Sequence, residues 1–298
     1  MLVLQITIFG TMLVGLLARK LGIVGPHARK DLTNLVIYIV LPCNILTSFL
    51  TELTNDLVKD CIEVLLISIG IQVFSVIYGK IIYRKESVSR SMNLRYGIIC
   101  SNAGFLGNPV AEGLYGATGL MLASIYLIPQ RFMMWSEGIA IYSGMSDRKQ
   151  TIKKVATHPC IIACFIGLVL MLTKAEIPPV ILSPVQTIGR CNTALSMMVI
   201  GMILAEISLN EIVEKAVILF TIQRLVIIPA IIFAVLTLLP VSHLTRGLSV
   251  ILAAMPAGAT TSMLASKYDR DPVFATKMVV FSTLCSIPAI IIWSAILI

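Results

Sequence analysis

Two apolar stretches of this chain carry helix-breaking residues in their middles, at matching places in its two halves. The first reads Gly97-Ile-Ile-Cys-Ser-Asn-Ala-Gly-Phe-Leu-Gly-Asn-Pro109, the second Ser249-Val-Ile-Leu-Ala-Ala-Met-Pro-Ala-Gly-Ala-Thr-Thr-Ser262. A shift of 154 residues lays Asn102-Ala103-Gly104 on Pro256-Ala257-Gly258. A bare peptide N–H or C=O in hydrocarbon costs several kcal/mol, so irregular backbone survives at membrane depth only where protein or a watery cavity satisfies it. Paired interruptions in corresponding positions are the sequence pointer to a substrate site in a secondary transporter.

The membrane setting follows from composition. Hydrophobic residues make up 57% of the chain and charged residues only 13%, about half the charged share of a soluble domain. Roughly 20 apolar residues cross a bilayer as a helix. About ten such segments are present, near 3–20, 32–51, 60–82, 92–110, 120–143, 157–173, 186–205, 213–238, 246–265 and 275–297. The opening stretch lacks a basic start and a small-residue cleavage site, and ends in Ala18-Arg19-Lys20, so it reads as the first span.

The net charge of +8 does not point to nucleic acid, because the basic residues are distributed by side. With the N-terminus outside, the cytoplasmic loops hold sixteen Lys and Arg residues and the opposite loops only Lys59, Lys174 and Arg246. The positive-inside rule therefore places both termini outside a cytoplasmic membrane. The connection between the seventh and eighth spans is the weak point, with Lys215 against Glu206, Glu211 and Glu214. Seven scattered cysteines without a CxxC pair read as small buried side chains, with no metal site and no cofactor.

The same shift carries 3–20 onto 157–174, 32–51 onto 186–205, 60–82 onto 214–236 and 120–143 onto 274–297. Five spans per half is an odd number, so the second half enters the membrane from the opposite side. The expected architecture is all-α: two inverted five-helix repeats, residues 1–145 and 155–298, joined by a short cytoplasmic linker at 146–154, with the fourth and ninth spans broken. Such carriers hold their substrate near the midplane, at the repeat interface.

In the first break Gly104, Gly107 and Pro109 are expected to undo the helix, beside Asn102 and Asn108. The half-helix after Pro109 would then aim its N-terminal amides at the gap, an arrangement suited to an anion. The second break supplies Pro256 and Gly258, with Thr260, Thr261 and Ser262 as hydroxyl donors. An ordinary kinked helix is the competing reading of either break alone. Gln130, Arg131 and Glu137 lie in the fifth span and Gln223 and Arg224 in the eighth. Ionisable groups at that depth are costly and suggest function. Either arginine could neutralise an anionic substrate, pair with Glu137, cap a broken-helix carbonyl or snorkel. In the second span Pro42 and Asn44 suit packing as well as ligand contact. No acidic residue falls within the breaks, which leaves coupling to protons or sodium open. The three histidines sit near span ends and no aspartate pair lies at depth, which argues against an intramembrane enzyme. A channel-like or ligand-sensing protein with a transporter fold stays open.

At these residues the chain resembles the auxin efflux carrier family. The most specific piece is Ala254-Met-Pro-Ala-Gly258 continuing to Ala265-Ser-Lys-Tyr-Asp-Arg-Asp-Pro272; Asn102 to Pro109 followed by Tyr115-Gly116 is similar to the first crossover. Gln130 with Trp135, Arg224 with Pro229, and His158-Pro159 extend the resemblance over essentially all ten spans. It implies a scaffold part and a transport part. The crossover helices would meet near Pro109 and Pro256, and Asn102 and Gln130 would contact substrate. Family substrates are small or amphipathic carboxylates, indole acetate in plants and malate or malonate in bacteria, and a homodimer is compatible with the family. The long cytoplasmic loop of many plant carriers is absent, which favours a bacterial-type permease for an organic anion.

Overall fold

The computed structural model describes residues 2–50, 54–143, 149, 153, 156–175, 177–205 and 213–297. The expected linker at 146–154 lies outside the described residues except for 149 and 153, as does 206–212 of the seventh-to-eighth connection. The side chain of Trp135 lies outside them too.

The described residues are helical, apart from turns and one isolated bridge. Among the described residues five helices are long and apolar enough to cross a membrane: Asp31–Ser48, Asn55–Ile82, Ala103–Tyr142, Lys215–Thr237 and Pro272–Leu297; Pro159–Thr173 is apolar but shorter. Ten spans were expected, and local interruptions account for part of the difference. The expected seventh span is two helices, Pro179–Arg190 and Asn192–Ala205, with a turn at Cys191. The ninth is cut into His243–Ala253 and Thr260–Lys267. The expected fourth and fifth spans share the helix Asn108–Trp135, in which Gly116 takes φ 66° and ψ −158°. A Cβ disfavours that left-handed backbone, so glycine is what lets the chain turn there.

Element positions follow the 154-residue shift closely. Val88–Ile99 lands on 242–253 and finds His243–Ala253, while 118–135 lands on 272–289, inside Pro272–Leu297.

Among the described residues three turns widen to π geometry, and each ends two residues before a proline. These are Val36–Val40 before Pro42, Ala103–Gly107 before Pro109, and Gln223–Ile227 before Pro229. Proline has no N–H and its ring crowds the carbonyl four residues earlier, so the preceding turn opens while the helix continues. For Pro229 the orphaned carbonyl is that of Leu225, and the Trp293 indole N–H donates to it at 2.8 Å.

Two compact units form. One comprises 1–61, 108–125 and 156–207; the other comprises 62–107, 126–155 and 208–298. Each draws on both halves of the chain. In the first unit Gly189 lets Pro179–Arg190 ride directly on the backbone of Asn44, where a Cβ would sit 3.0 Å from the Asn44 nitrogen. In the second unit Tyr96, Ile99, Cys100, Tyr142, Leu264, Ala265 and Ala275 share one buried cluster.

Candidate site at the crossing of two broken helices

Within the second unit the two interrupted segments meet. Val88–Ile99 ends, and Cys100 turns to extended geometry at φ −110° and ψ 93°. Ser101 then pairs antiparallel with Ala257. The Asn102 N–H donates to the Pro256 carbonyl at 2.7 Å, and the Gly258 N–H donates to the Cys100 carbonyl at 2.9 Å. Each break thus supplies hydrogen-bond partners the other lacks, which meets the cost of irregular backbone away from water.

The position of the first break corrects an expectation. Gly104, Gly107 and Pro109 do not undo the helix; the chain is helical again from Ala103. The interruption lies at 100–102, and Pro109 only widens the turn before it. The positive helix end accordingly begins at Ala103 and not after Pro109. The Asn102 carbonyl is shared by the amides of Leu106 and Gly107. The earlier amides of that first turn therefore have no carbonyl one turn behind them.

Gln130 is buried and committed to this crossing. Its Nε2 donates to the Ser101 carbonyl at 2.8 Å, and its Oε1 accepts from the Ser101 hydroxyl at 3.0 Å. Both ends of one amide thus clamp one residue of the extended segment. Arg224 is 3% exposed, and its Nη1 donates to the Ile98 carbonyl at 3.3 Å. That carbonyl would normally accept from residue 102, whose N–H has gone to Pro256. The guanidinium therefore caps the severed helix end, where the macrodipole favours a cation. Its Nε is buried without a hydrogen bond. Glu137 pairs with Lys80 at 3.2 Å and Arg95 at 3.8 Å.

Asn102 differs from Gln130: its side chain is half-buried, and among the described residues only its backbone is engaged in hydrogen bonding. Gly104 lies beside Arg131, whose Nη2 would stand 3.6 Å from a Cβ placed there. Thr260 accepts from the Tyr96 hydroxyl at 3.1 Å, and the Thr261 hydroxyl is buried without a partner. The second unit thus gathers Asn102, Gly104, Gln130, Arg224, Pro256, Gly258, Thr260 and Thr261. Asn44, Asn108 and Pro109 belong to the first unit. There Asn44 donates to Glu112 Oε2 at 3.0 Å. Asn108 is fully buried, with neither end of its amide hydrogen-bonded.

Sequence reading missed Asn93. It is fully buried, donates to the carbonyls of Arg270 and Asp271 at 2.8 and 3.2 Å, and accepts from the Tyr142 hydroxyl at 2.7 Å. It anchors the turn after Lys267, where Asp269 and Asp271 both have positive φ. Asp271 then caps the last helix by accepting from the Phe274 N–H at 3.1 Å. The Asp-Arg-Asp-Pro run therefore has a structural task.

A family model for membrane transport proteins matches residues 1–158 and 147–294. The chain belongs to this family, that of the auxin efflux carriers. It is 24% identical over 294 residues to an uncharacterized transporter of Methanocaldococcus jannaschii, covering 96% of this chain and 95% of that one. An uncharacterized transporter of Methanothermobacter thermautotrophicus is 24% identical over 292 residues, covering 96% and 94% respectively. The protein is thus a membrane protein of a transporter family.

Proposed function

We propose that the chain is a secondary carrier that moves a small organic anion across the cytoplasmic membrane by alternating access. It would have ten spans in two inverted five-helix repeats and both termini outside. The observation that carries this reading is the antiparallel pairing of Ser101 with Ala257, one residue from each break. Repeats related by simple translation would bring these segments together parallel, whereas inversion brings them together antiparallel. The composition of the two compact units supports the same reading, since each joins stretches from both halves, as inverted-repeat bundles do. One unit would rock against the other and expose the crossing to each side in turn.

The anion would rest at the positive helix end opening at Ala103, against the Asn102 amide and the first-turn backbone. Arg131, beside Gly104, supplies the countercharge. Arg224 and Gln130 hold the crossing in shape, and Thr260 and Thr261 offer hydroxyls from the opposite segment. Uptake of radiolabelled malate, malonate and indole acetate into proteoliposomes tests the substrate class. Saturable flux of at least one carboxylate is expected, and Arg131→Gln should raise its KM about tenfold, as loss of one charge-assisted contact does. An absence of saturable flux for every carboxylate tested refutes the anion assignment.

A further inference from the structure

The first unit contains a cavity of about 200 Å³, lined by Asn44, Thr47, Ser48, Glu112, Gln186 and Arg190 over a floor of Ala117 and Leu120. Its polar groups show what it accepts. Glu112 Oε2 receives the Asn44 amide at 3.0 Å and the Thr193 hydroxyl at 3.4 Å, which fixes the carboxylate. Glu112 Oε1 receives no hydrogen bond from a described residue. Thr47 and Ser48 give their protons to the carbonyls of Asn44 and Ile45, leaving their oxygens as acceptors. One wall is therefore rich in acceptors and holds the Glu112 carboxyl group. On the other wall, Gln186 and Arg190 come from Pro179–Arg190. Gly189 seats that helix directly on the Asn44 backbone. Neither Gln186 nor Arg190 hydrogen-bonds a described residue, and Arg190 is not ion-paired with Glu112.

We propose that this cavity binds a small zwitterionic solute of the α-amino acid type, its protonated amine on Glu112 and its carboxylate on Arg190. A simple anion would face Glu112 and a simple cation would face Arg190, each meeting like charge. A solute with both charges answers both walls, and Gln186 can bond either end. At roughly 30 Å³ per water-sized volume, the space suits a solute of a few heavy atoms. The site is built from residues other than those at the crossing, so it stands apart from the carboxylate reading above.

The test is calorimetric titration of the purified full-length protein with glycine, alanine and serine, and with N-acetylglycine, methylamine and acetate as half-charged probes. The proposal expects saturable binding of at least one amino acid, and affinity about tenfold or more weaker for every half-charged probe. Glu112→Gln should weaken the amino acid and narrow its advantage over N-acetylglycine. Arg190→Gln should narrow its advantage over methylamine. Arg190 is exposed and makes no hydrogen bond to a described residue, so that variant is expected to fold and decides the matter even if Glu112→Gln does not. No saturable amino acid binding, equal binding of methylamine, of acetate or of N-acetylglycine, or indifference to Arg190→Gln each overturns it. Loss of carboxylate flux in Asn102→Ala with amino acid binding intact would separate this site from the crossing.

Discussion

Among the residues, two neutral amides at the crossing divide the labour. Gln130 spends both ends of its amide on Ser101, whereas the Asn102 side chain makes no hydrogen bond to a described residue. Gln130→Ala should therefore destabilise the protein by about 1–3 kcal/mol, the cost of leaving the Ser101 groups unsatisfied. Asn102→Ala should change stability by less than about 0.5 kcal/mol. Thermal melts in detergent would check the pair, and equal losses in both would refute the division. Arg224→Met should also cost about 1–3 kcal/mol, because the Ile98 carbonyl loses its donor inside the protein. Depth singled out these residue types in the sequence, but their roles were not legible there. A buried glutamine looks the same whether its partner is a solute or a carbonyl 29 residues back, and Arg224 became a cap only because Asn102 donates elsewhere.

The helices themselves were largely legible, and the shift of 154 residues places His243–Ala253 opposite Val88–Ile99. The exact break was not. Gly104, Gly107 and Pro109 are permissive of interruption, yet the two glycines lie within a π turn that the proline only widens, and the helix ends earlier because Cys100 and Asn102 find better partners across the crossing. Such tertiary capture leaves no local signature, and for the same reason Asn93 drew no notice. The proline rule makes its own prediction at this level. Trp293→Phe should destabilise the wild type by about 1–3 kcal/mol, since the Leu225 carbonyl then has no donor. In a Pro229→Ala background the restored N–H can serve that carbonyl, so the same change should cost less. A double-mutant cycle of denaturation free energies measures the difference, and a coupling of zero contradicts the rule.

At the level of the whole molecule, the family and the broad helical class were readable from composition and motif, and the partition into two compact units was not. Each unit combines stretches far apart in sequence, so neither boundary coincides with a loop of distinctive composition. Orientation is testable by labelling single cysteines with a membrane-impermeant maleimide in intact cells. Lys174→Cys should react from outside, and Lys85→Cys only after permeabilisation, as the placement of basic residues requires. The reverse pattern would invert the topology. The central claim is that the crossing of two broken helices carries the transported anion, and the direct measurement is carboxylate uptake by proteoliposomes containing wild-type or Asn102→Ala protein at matched folded content. The account predicts saturable uptake by the wild type and a loss of about tenfold or more in kcat/KM for the variant, since a ligand contact is removed while the backbone bond to Pro256 stays. Saturable uptake that is the same in both would contradict it.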